Sequence, residues 1–203
     1  SVAVTPWMKD KVNFVGPAVV QLATLDACLV VHLASANGRP SGSCGPPLEA
    51  VLRDETIVKA GVSLDQDMLE LRQKWTRLEA RSRLDLGGIG ASGSQRLGLK
   101  QLTSSILGVD LPKTRRLTMS NWSQVPLTSA QLAYSAWEAW AGAAIVAELA
   151  ARDPDTFGTE ALVALLRSQR TIDDLYHCLL YTTYAADDLP RVALGARRHV
   201  PHQ

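Results

Sequence analysis

The sequence predicts a single α/β domain in which strands come first and helices follow. Residues 18–33 contain two β-rich runs separated by a short turn, whereas the second half of the chain shows mainly helical spacing. The strand centres are apolar on both faces, as in a sheet covered on both sides. A chain of 203 residues that is 46% hydrophobic can also bury one sizeable core. These observations favour an α/β sandwich over a barrel or a helix bundle.

The first third of the chain supplies most of the predicted strands. Val2–Val4 reads as a short strand, and Ala18–Ala23 with Cys28–Leu33 reads as a hairpin. After a loop rich in Gly, Pro and Ser we expect a short helix over Leu48–Arg53 and a strand over Ile57–Val62. The N-terminal half is therefore predicted to be rich in hairpins.

The middle of the chain alternates between helix and loop. Ser63 is predicted to cap a helix with acidic residues in its first turn. Residues 77–95 are predicted to be irregular, since residues 81–86 are too charged for a buried parallel strand and glycines follow them. Leu97–Leu107 returns to helical spacing and ends at Gly108, a typical C-cap residue.

The remaining elements are helices. Thr128 is a natural N-cap for a long Ala-rich helix that includes Gln131–Leu149. Asp153-Pro154 breaks that helix, and further helical stretches are predicted over Thr159–Arg167 and Ile172–Tyr184.

Composition narrows the classes of function. The net charge of +1 argues against a strongly basic nucleic-acid protein, and no apolar run is long enough for a membrane span. The three cysteines are widely spaced, which indicates neither a disulfide framework nor a zinc site and fits a reducing compartment inside the cell. The absence of a signal peptide makes a processed protein of a mitochondrial or other organellar matrix our expectation for location. Charge is uneven, because residues 72–116 hold ten basic and three acidic residues.

The strongest motif lies between residues 120 and 142. Tyr134 and Glu138 are one helical turn apart, behind Asn121-Trp122-Ser123 and Pro126-Leu127-Thr128 and ahead of Ala141-Gly142. This sequence pattern resembles the third motif of the DEDDy 3′-5′ exonucleases, the group that contains RNase D and the Werner-type exonuclease domain. The resemblance implies an RNase H-like fold, with a mixed central sheet flanked by helices.

The resemblance also implies a carboxylate site for two metal ions, and this chain departs from it. Asp67 falls on the aspartate of the second motif and Tyr134 on the tyrosine of the third, whereas Glu138 stands where the family has Asp. In the first motif, Val4 and Pro6 occupy the positions of the family's Asp and Glu. We therefore expect no cofactor and a lost Mg²⁺ or Mn²⁺ site, of which Asp67 and Glu138 are vestigial ligand candidates.

These observations lead to a predicted domain division and three hypotheses of function. We expect a degenerate exonuclease-like domain over residues 1–150 and a helical extension and tail over residues 151–203. The first hypothesis is a catalytically inactive accessory subunit bound to other protein subunits. The second is an adaptor for RNA or single-stranded nucleic acid, and the third is an active metal-dependent 3′-5′ exonuclease. Candidate nucleic-acid contacts are Arg96, Lys100, Lys113, Arg115, Arg116 and, by stacking on bases, Trp122, unless that ring belongs to the core.

Two weaker signals receive the simpler interpretation. The literal G-x-G-x-x-G at residues 88–93 follows no apolar strand, so a loop is favoured over a dinucleotide cradle. His32 lies in an apolar strand without companions, which favours a hydrogen-bonded core histidine over a metal ligand.

Overall fold

The structure is a computed structural model that describes residues 2–3, 17–33, 45–75, 78–89, 96–112 and 115–177. It contains both strands and helices, as the sequence predicts. The strands are β1 (Val2–Ala3), β2 (Val19–Ala23), β3 (Cys28–His32), β4 (Lys59–Gly61) and β5 (Arg83–Asp85). The helices are α1 (Pro46–Arg53), α2 (Leu64–Lys74), α3 (Leu99–Leu102), α4 (Arg115–Thr118), α5 (Ser129–Arg152), α6 (Pro154–Phe157) and α7 (Thr159–Leu166).

The strands of the described residues form two sheets, one antiparallel and one parallel. β1, β2 and β3 pair in that order, with Val2 opposite Val20 and Val20 opposite Val31. The predicted hairpin is therefore confirmed. β4 and β5 pair in parallel, with Ala60 opposite Leu84. The mixed α/β class is therefore confirmed, but in the described residues the two pairing types lie in two small sheets and not in one mixed central sheet.

β5 corrects one expectation, because residues 81–86 were predicted to be irregular on account of their charge. Arg83 lies in this strand at only 3% exposure. Its guanidinium is satisfied there, since Nε donates to Asp65 Oδ1 at 2.6 Å, Nη1 to Ala80 O at 2.5 Å and Nη2 to Arg170 O at 2.9 Å. A buried charge with a full set of partners is tolerated, so charge alone did not exclude a strand here.

The helix ends follow the capping signals with one exception. Thr128 Oγ1 accepts from Gln131 N at 3.2 Å, and Gln131 Oε1 accepts from Thr128 N at 2.9 Å, which confirms the predicted start of α5. Gly108 ends the π-helical turn Thr103–Leu107 that continues α3, with φ 67°, as predicted. Ser63 precedes α2 in a left-handed conformation with φ 59°, and its side chain makes no capping hydrogen bond.

Apolar side chains gather in clusters on both sides of the strands. The largest joins the antiparallel sheet with α1, α2 and the helical residues 172–177, through buried side chains that include Leu52, Leu71 and Ile172. Another joins Leu86 near β5 and Leu102 of α3 to Ile145 of α5. The helix α5 contacts both sheets, through β2 and β3 of the antiparallel one and β4 of the parallel one, and these contacts position its motif residues.

None of the helices in the described part of the chain combines the length and apolar character that a membrane crossing requires.

Candidate functional site

The centre of the candidate site is the pair Tyr134 and Glu138 on α5. The Tyr134 hydroxyl donates to Glu138 Oε1 at 2.5 Å, so the two groups share one helix face, as their spacing predicts. Tyr134 is buried, at 6% exposure. Burial, helped by the hydrogen bond to Glu138 and its negative charge, holds the pKa of the Tyr134 phenol well above its usual range. Tyr134 is therefore a neutral hydrogen-bond donor.

The loop before α5 packs against Tyr134 through the side chain of Trp122. Trp122 is buried at 1% exposure, and its ring lies 5.9 Å from the Tyr134 ring, centroid to centroid. Its indole Nε1 donates to Thr118 O at 3.3 Å. The predicted stacking of nucleic-acid bases on Trp122 does not fit this position, because a base cannot reach a buried ring. Trp122 is a core aromatic residue, the simpler of the two interpretations.

Gln131 is a structural residue of the site that sequence reasoning missed. It is buried at 1% exposure, and its Nε2 donates to Ser120 Oγ at 3.1 Å and to Asn121 O at 3.0 Å. Together with the capping contacts to Thr128, these bonds attach the loop to the first turn of α5. The signal was present in the sequence, because Thr-x-x-Gln at a helix start is a capping box.

His32 is attached to the same loop. Its Nε2 lies 3.1 Å from Trp122 O, so the ring donates a hydrogen bond to the main chain. This agrees with the predicted hydrogen-bonded core histidine.

The helix α5 approaches β4 closely, and this contact sets the distance of Tyr134 and Glu138 from the strand. A Cβ atom on Gly142 would lie 3.0 Å from Ala60 O, which is tighter than an ordinary contact. The small residue in Ala141-Gly142 therefore lets the helix rest on the strand that leads into α2 and Asp67. Asp67 lies half-buried in the first turn of α2.

The carboxylates do not assemble a metal centre in the described part of the chain. No group of three or more His, Cys, Asp or Glu side chains among those residues is arranged to hold a metal ion. Val4 and Pro6, the residues at the first-motif positions, lie outside the described residues. A two-metal clamp needs several convergent carboxylate oxygens, and the described donor set does not fit one.

The predicted basic contacts differ in their surroundings. Lys100 is exposed on α3, and Arg115 and Arg116 are exposed on α4. Arg96 pairs with Asp85 at 2.6 Å while remaining 58% exposed, so its charge is partly neutralised. Lys113 lies outside the described residues. Their role in binding nucleic acid remains a prediction.

Trp137 is the exposed aromatic residue of this region. It is 43% exposed, and the Trp140 ring meets it edge-on at 5.5 Å. A small cleft beside it is lined by Tyr134, Glu138 and Lys100, among others. The helical spacing placed Trp137 on the Tyr134 face, but it could not tell an exposed ring from a core ring at the edge of that face.

A second cavity lies between β2, β4, α5 and α7. It has a volume of about 660 Å³ and a mostly apolar lining that includes Leu22, Ala60 and Val146. Lys59 is at its wall, buried to 7% exposure, with Nζ donating to Asp54 O at 2.6 Å. Burial lowers the pKa of this lysine to about 8. Lys59 and the apolar side chains that line this cavity pack beside α5, and we assign them a structural role.

Strands covered by helices, with a tyrosine and a carboxylate one turn apart on a long late helix, are the arrangement that the resemblance to RNase H-like exonuclease domains implies. The comparisons then give the family. A family model described as 3′-5′ exonuclease matches residues 17–152, and the chain therefore belongs to the 3′-5′ exonuclease family.

Individual relatives agree with this assignment. The mouse bifunctional 3′-5′ exonuclease/ATP-dependent helicase WRN is 32% identical over 135 residues, which is 65% of this chain and 9% of that protein. A 3′-5′ exonuclease of Arabidopsis thaliana is 30% identical over 116 residues, or 56% of this chain and 38% of that one. The chain thus spans well under half the length of these curated relatives.

Solved structures support the fold. One described as the apo form of the nuclease has a TM-score of 0.58 at 21% identity and covers 89% of this chain and 82% of that chain. Brucella melitensis NrnC bound to pGG has a TM-score of 0.56 at 20% identity, with the same coverage.

Proposed function

We propose that this chain is a catalytically inactive 3′-5′ exonuclease-like domain that serves as an accessory subunit of a larger assembly. The observation that carries the proposal is the hydrogen bond of 2.5 Å between Tyr134 and Glu138. Glu138 is one methylene longer than the family's aspartate and reaches back to the tyrosine of its own helix. The resemblance implies that the tyrosine at this position orients the water that attacks the phosphodiester. In this chain the phenol donates its hydrogen bond to the Glu138 carboxylate instead.

The sequence at the first motif supports the same proposal. Val4 has no ligating atom, and Pro6 offers no side-chain oxygen. Of the family's four carboxylate positions, only those of Asp67 and Glu138 retain a carboxylate. Two carboxylates leave too few anionic oxygens for a pair of divalent cations, and a site of this kind tolerates displacements of only about 0.5 Å.

The test is a nuclease assay with a reconstructed control. Purified protein is incubated with a 5′-labelled single-stranded oligonucleotide in Mg²⁺ or Mn²⁺, beside the triple variant Val4→Asp, Pro6→Glu, Glu138→Asp. We expect no trimming by the natural chain, and any activity gained by the triple variant should disappear when Asp67→Ala is added. Metal-dependent trimming by the natural chain that Asp67→Ala abolishes would establish the active exonuclease instead.

The accessory role is supported by apolar surface. Leu25 and Leu29 of the β2–β3 hairpin are 52% and 58% exposed, and Leu165 of α7 is 65% exposed. Burial of these side chains against another subunit would remove apolar surface from water and so favour association. We expect the native protein to elute with a stable set of other subunits, and Leu25→Glu with Leu29→Glu to reduce that association. Elution of the native protein as a free monomer would count against this role.

An organellar matrix remains our prediction for the location of the protein.

The second candidate function is an adaptor for RNA or single-stranded nucleic acid. It is favoured by the exposure of Lys100, Arg115 and Arg116 in the part of the chain that carries net positive charge. Binding of a labelled single-stranded RNA should fall steeply with salt and weaken when Arg115 and Arg116 are both changed to Ala. Arg53 and Arg167, two exposed arginines outside this region, give a matched double-Ala control.

A further inference from the structure

Trp137 differs from the other tryptophans in the described part of the chain. Its side chain is 43% exposed, whereas Trp75 and Trp122 are 8% and 1% exposed and Trp140 is partly buried. Exposing a large indole forgoes the burial that normally stabilises it, about 1.5–3 kcal/mol for a large apolar side chain. Part of the Trp137 side chain therefore remains available for contact with a ligand.

The ring is also held in place. Trp140 lies one turn further along α5, and the two rings meet at 89° with their centroids 5.5 Å apart. An edge-on contact of this kind restrains an aromatic ring, and at 43% exposure part of the Trp137 side chain remains accessible to solvent. Trp137 is thus a restrained aromatic surface, and little conformational entropy would be lost when a flat ligand binds to it.

The surroundings indicate the chemistry of such a ligand. Lys100 lines the same small cleft as Trp137 and is exposed. Pro112 also lines it, and Arg115 follows three residues later, within about 11 Å along the chain. Cations beside an open aromatic face are the combination that single-stranded nucleic acids require, with the bases stacked and the phosphates neutralised.

Glu138 constrains the orientation. Its carboxylate lines the cleft and would repel a phosphate placed inside it. The backbone of a bound strand would therefore run on the Lys100 and Arg115 side, with a base over the indole and its edge toward Glu138. A carboxylate accepts hydrogen bonds, so base edges that carry N–H donors suit this arrangement.

We propose that Trp137 is a stacking platform for one base of a single-stranded RNA or DNA, with Lys100 holding the adjoining phosphate. This inference rests on the second candidate function, the nucleic-acid adaptor, and assigns its aromatic contact to Trp137 in place of Trp122. It requires no catalytic step.

The test compares binding of two fluorescein-labelled ligands by polarisation at low salt. One is an oligoribonucleotide of about 12 nucleotides, within the site sizes of single-strand binding folds, and the other is an abasic strand of the same length. The variants are Trp137→Ala, Trp137→Phe and, as a matched control, Leu132→Ala, since Leu132 lies on the same helix at the same 43% exposure. Circular dichroism and thermal unfolding verify that each variant is folded.

Stacking predicts that Trp137→Ala weakens binding of the oligoribonucleotide about tenfold, that Trp137→Phe restores part of it, and that Leu132→Ala has no effect. The abasic strand should bind more weakly and respond little to Trp137→Ala. Equal binding of both strands, or an unchanged affinity in Trp137→Ala, would overturn the stacking role while leaving the adaptor in place. Absence of binding by the natural chain at low salt would instead overturn the adaptor, and the stacking role with it.

Discussion

At the scale of single residues, Tyr134 shows how burial and a charged partner act on one group. In the folded protein the pKa of its phenol is raised above the ordinary value of 10.0, so the folded chain keeps a proton that the unfolded chain loses above that pH. The contribution of Tyr134 to the free energy of unfolding should therefore be complete below pH 10.0. It should decrease as the pH rises further.

Tyr134→Phe tests this reasoning. Loss of the hydroxyl should lower the free energy of unfolding near pH 7 by about 1–2 kcal/mol, because a hydrogen bond to a charged group is lost. The deficit relative to the natural chain should shrink in alkaline solution, as measured by urea unfolding over a pH series. Glu138→Gln is the control, since it keeps an acceptor and removes the charge. If the difference in the free energy of unfolding between Tyr134→Phe and the natural chain stayed constant with pH, the raised pKa of Tyr134 would be contradicted.

Lys59 behaves in the opposite sense. Its pKa is lowered from 10.5 to about 8 by burial, so the unfolded chain binds the proton more tightly than the folded one. Stability should then rise as the pH increases from about 8 to 10.5. Lys59→Met should remove a rise of order 1 kcal/mol, measured as the difference in urea unfolding between the two proteins at the ends of this window. Parallel pH profiles of the two proteins would refute it.

At the scale of elements, the contact of α5 with β4 depends on a missing side chain. Alanine normally stabilises a helix by about 1 kcal/mol relative to glycine. Gly142→Ala should instead destabilise the protein by about 1–2 kcal/mol, because its Cβ would press against Ala60 O and separate helix from strand. Thermal or urea unfolding measures this. Gly88→Ala is the matched control, since no atom lies within 4 Å of its added Cβ.

The elements that the sequence predicts well are those whose signals are local. The hairpin, the cap at Thr128 and the end at Gly108 depend on neighbours within a few residues, and all are found in the structure. β5 was missed because Arg83 is satisfied by Asp65 and Arg170, of which Arg170 lies 87 residues away. Partners at such distances leave no periodic trace in a sequence.

The same distinction applies to the candidate site. The spacing of Tyr134 and Glu138 determined their contact, because both lie on one helix. The exposure of Trp137 and the burial of Trp122 depend on what packs over α5, and that is set by the loop attached through Gln131. The positions of Val4 and Pro6 lie outside the described residues, so the loss of the first motif remains a prediction from the sequence.

At the scale of the whole molecule, the residues after α7 contribute to the core. Ile172 is buried at 1% exposure in the cluster around α2, and Arg72 forms an ion pair with Asp173 while lying over the Tyr176 ring. The domain boundary after residue 150 remains a prediction. Residues 169–177 nevertheless stabilise the elements that precede them.

A chain that ends at residue 168 should therefore be less stable than one that ends at residue 177. We expect a midpoint of thermal unfolding lower by about 10 °C, since a loss of several kcal/mol shifts a protein of this size by that amount. The chain ending at residue 177 keeps all of these contacts and serves as the control. Equal midpoints of thermal unfolding for the two chains would show that residues 169–177 do not stabilise the core.

The side chain of Gln169 has a further consequence. Its Oε1 accepts from Arg83 N at 3.0 Å and its Nε2 donates to Arg83 O at 2.5 Å, on the side of β5 away from β4. A single amide thus occupies the main-chain N–H and C=O of Arg83, one of the residues through which another strand would add to this edge. Uncovered sheet edges recruit strands from neighbouring molecules. We therefore expect Gln169 to hinder the addition of a strand at Arg83, and a chain lacking Gln169 to self-associate more readily through β5.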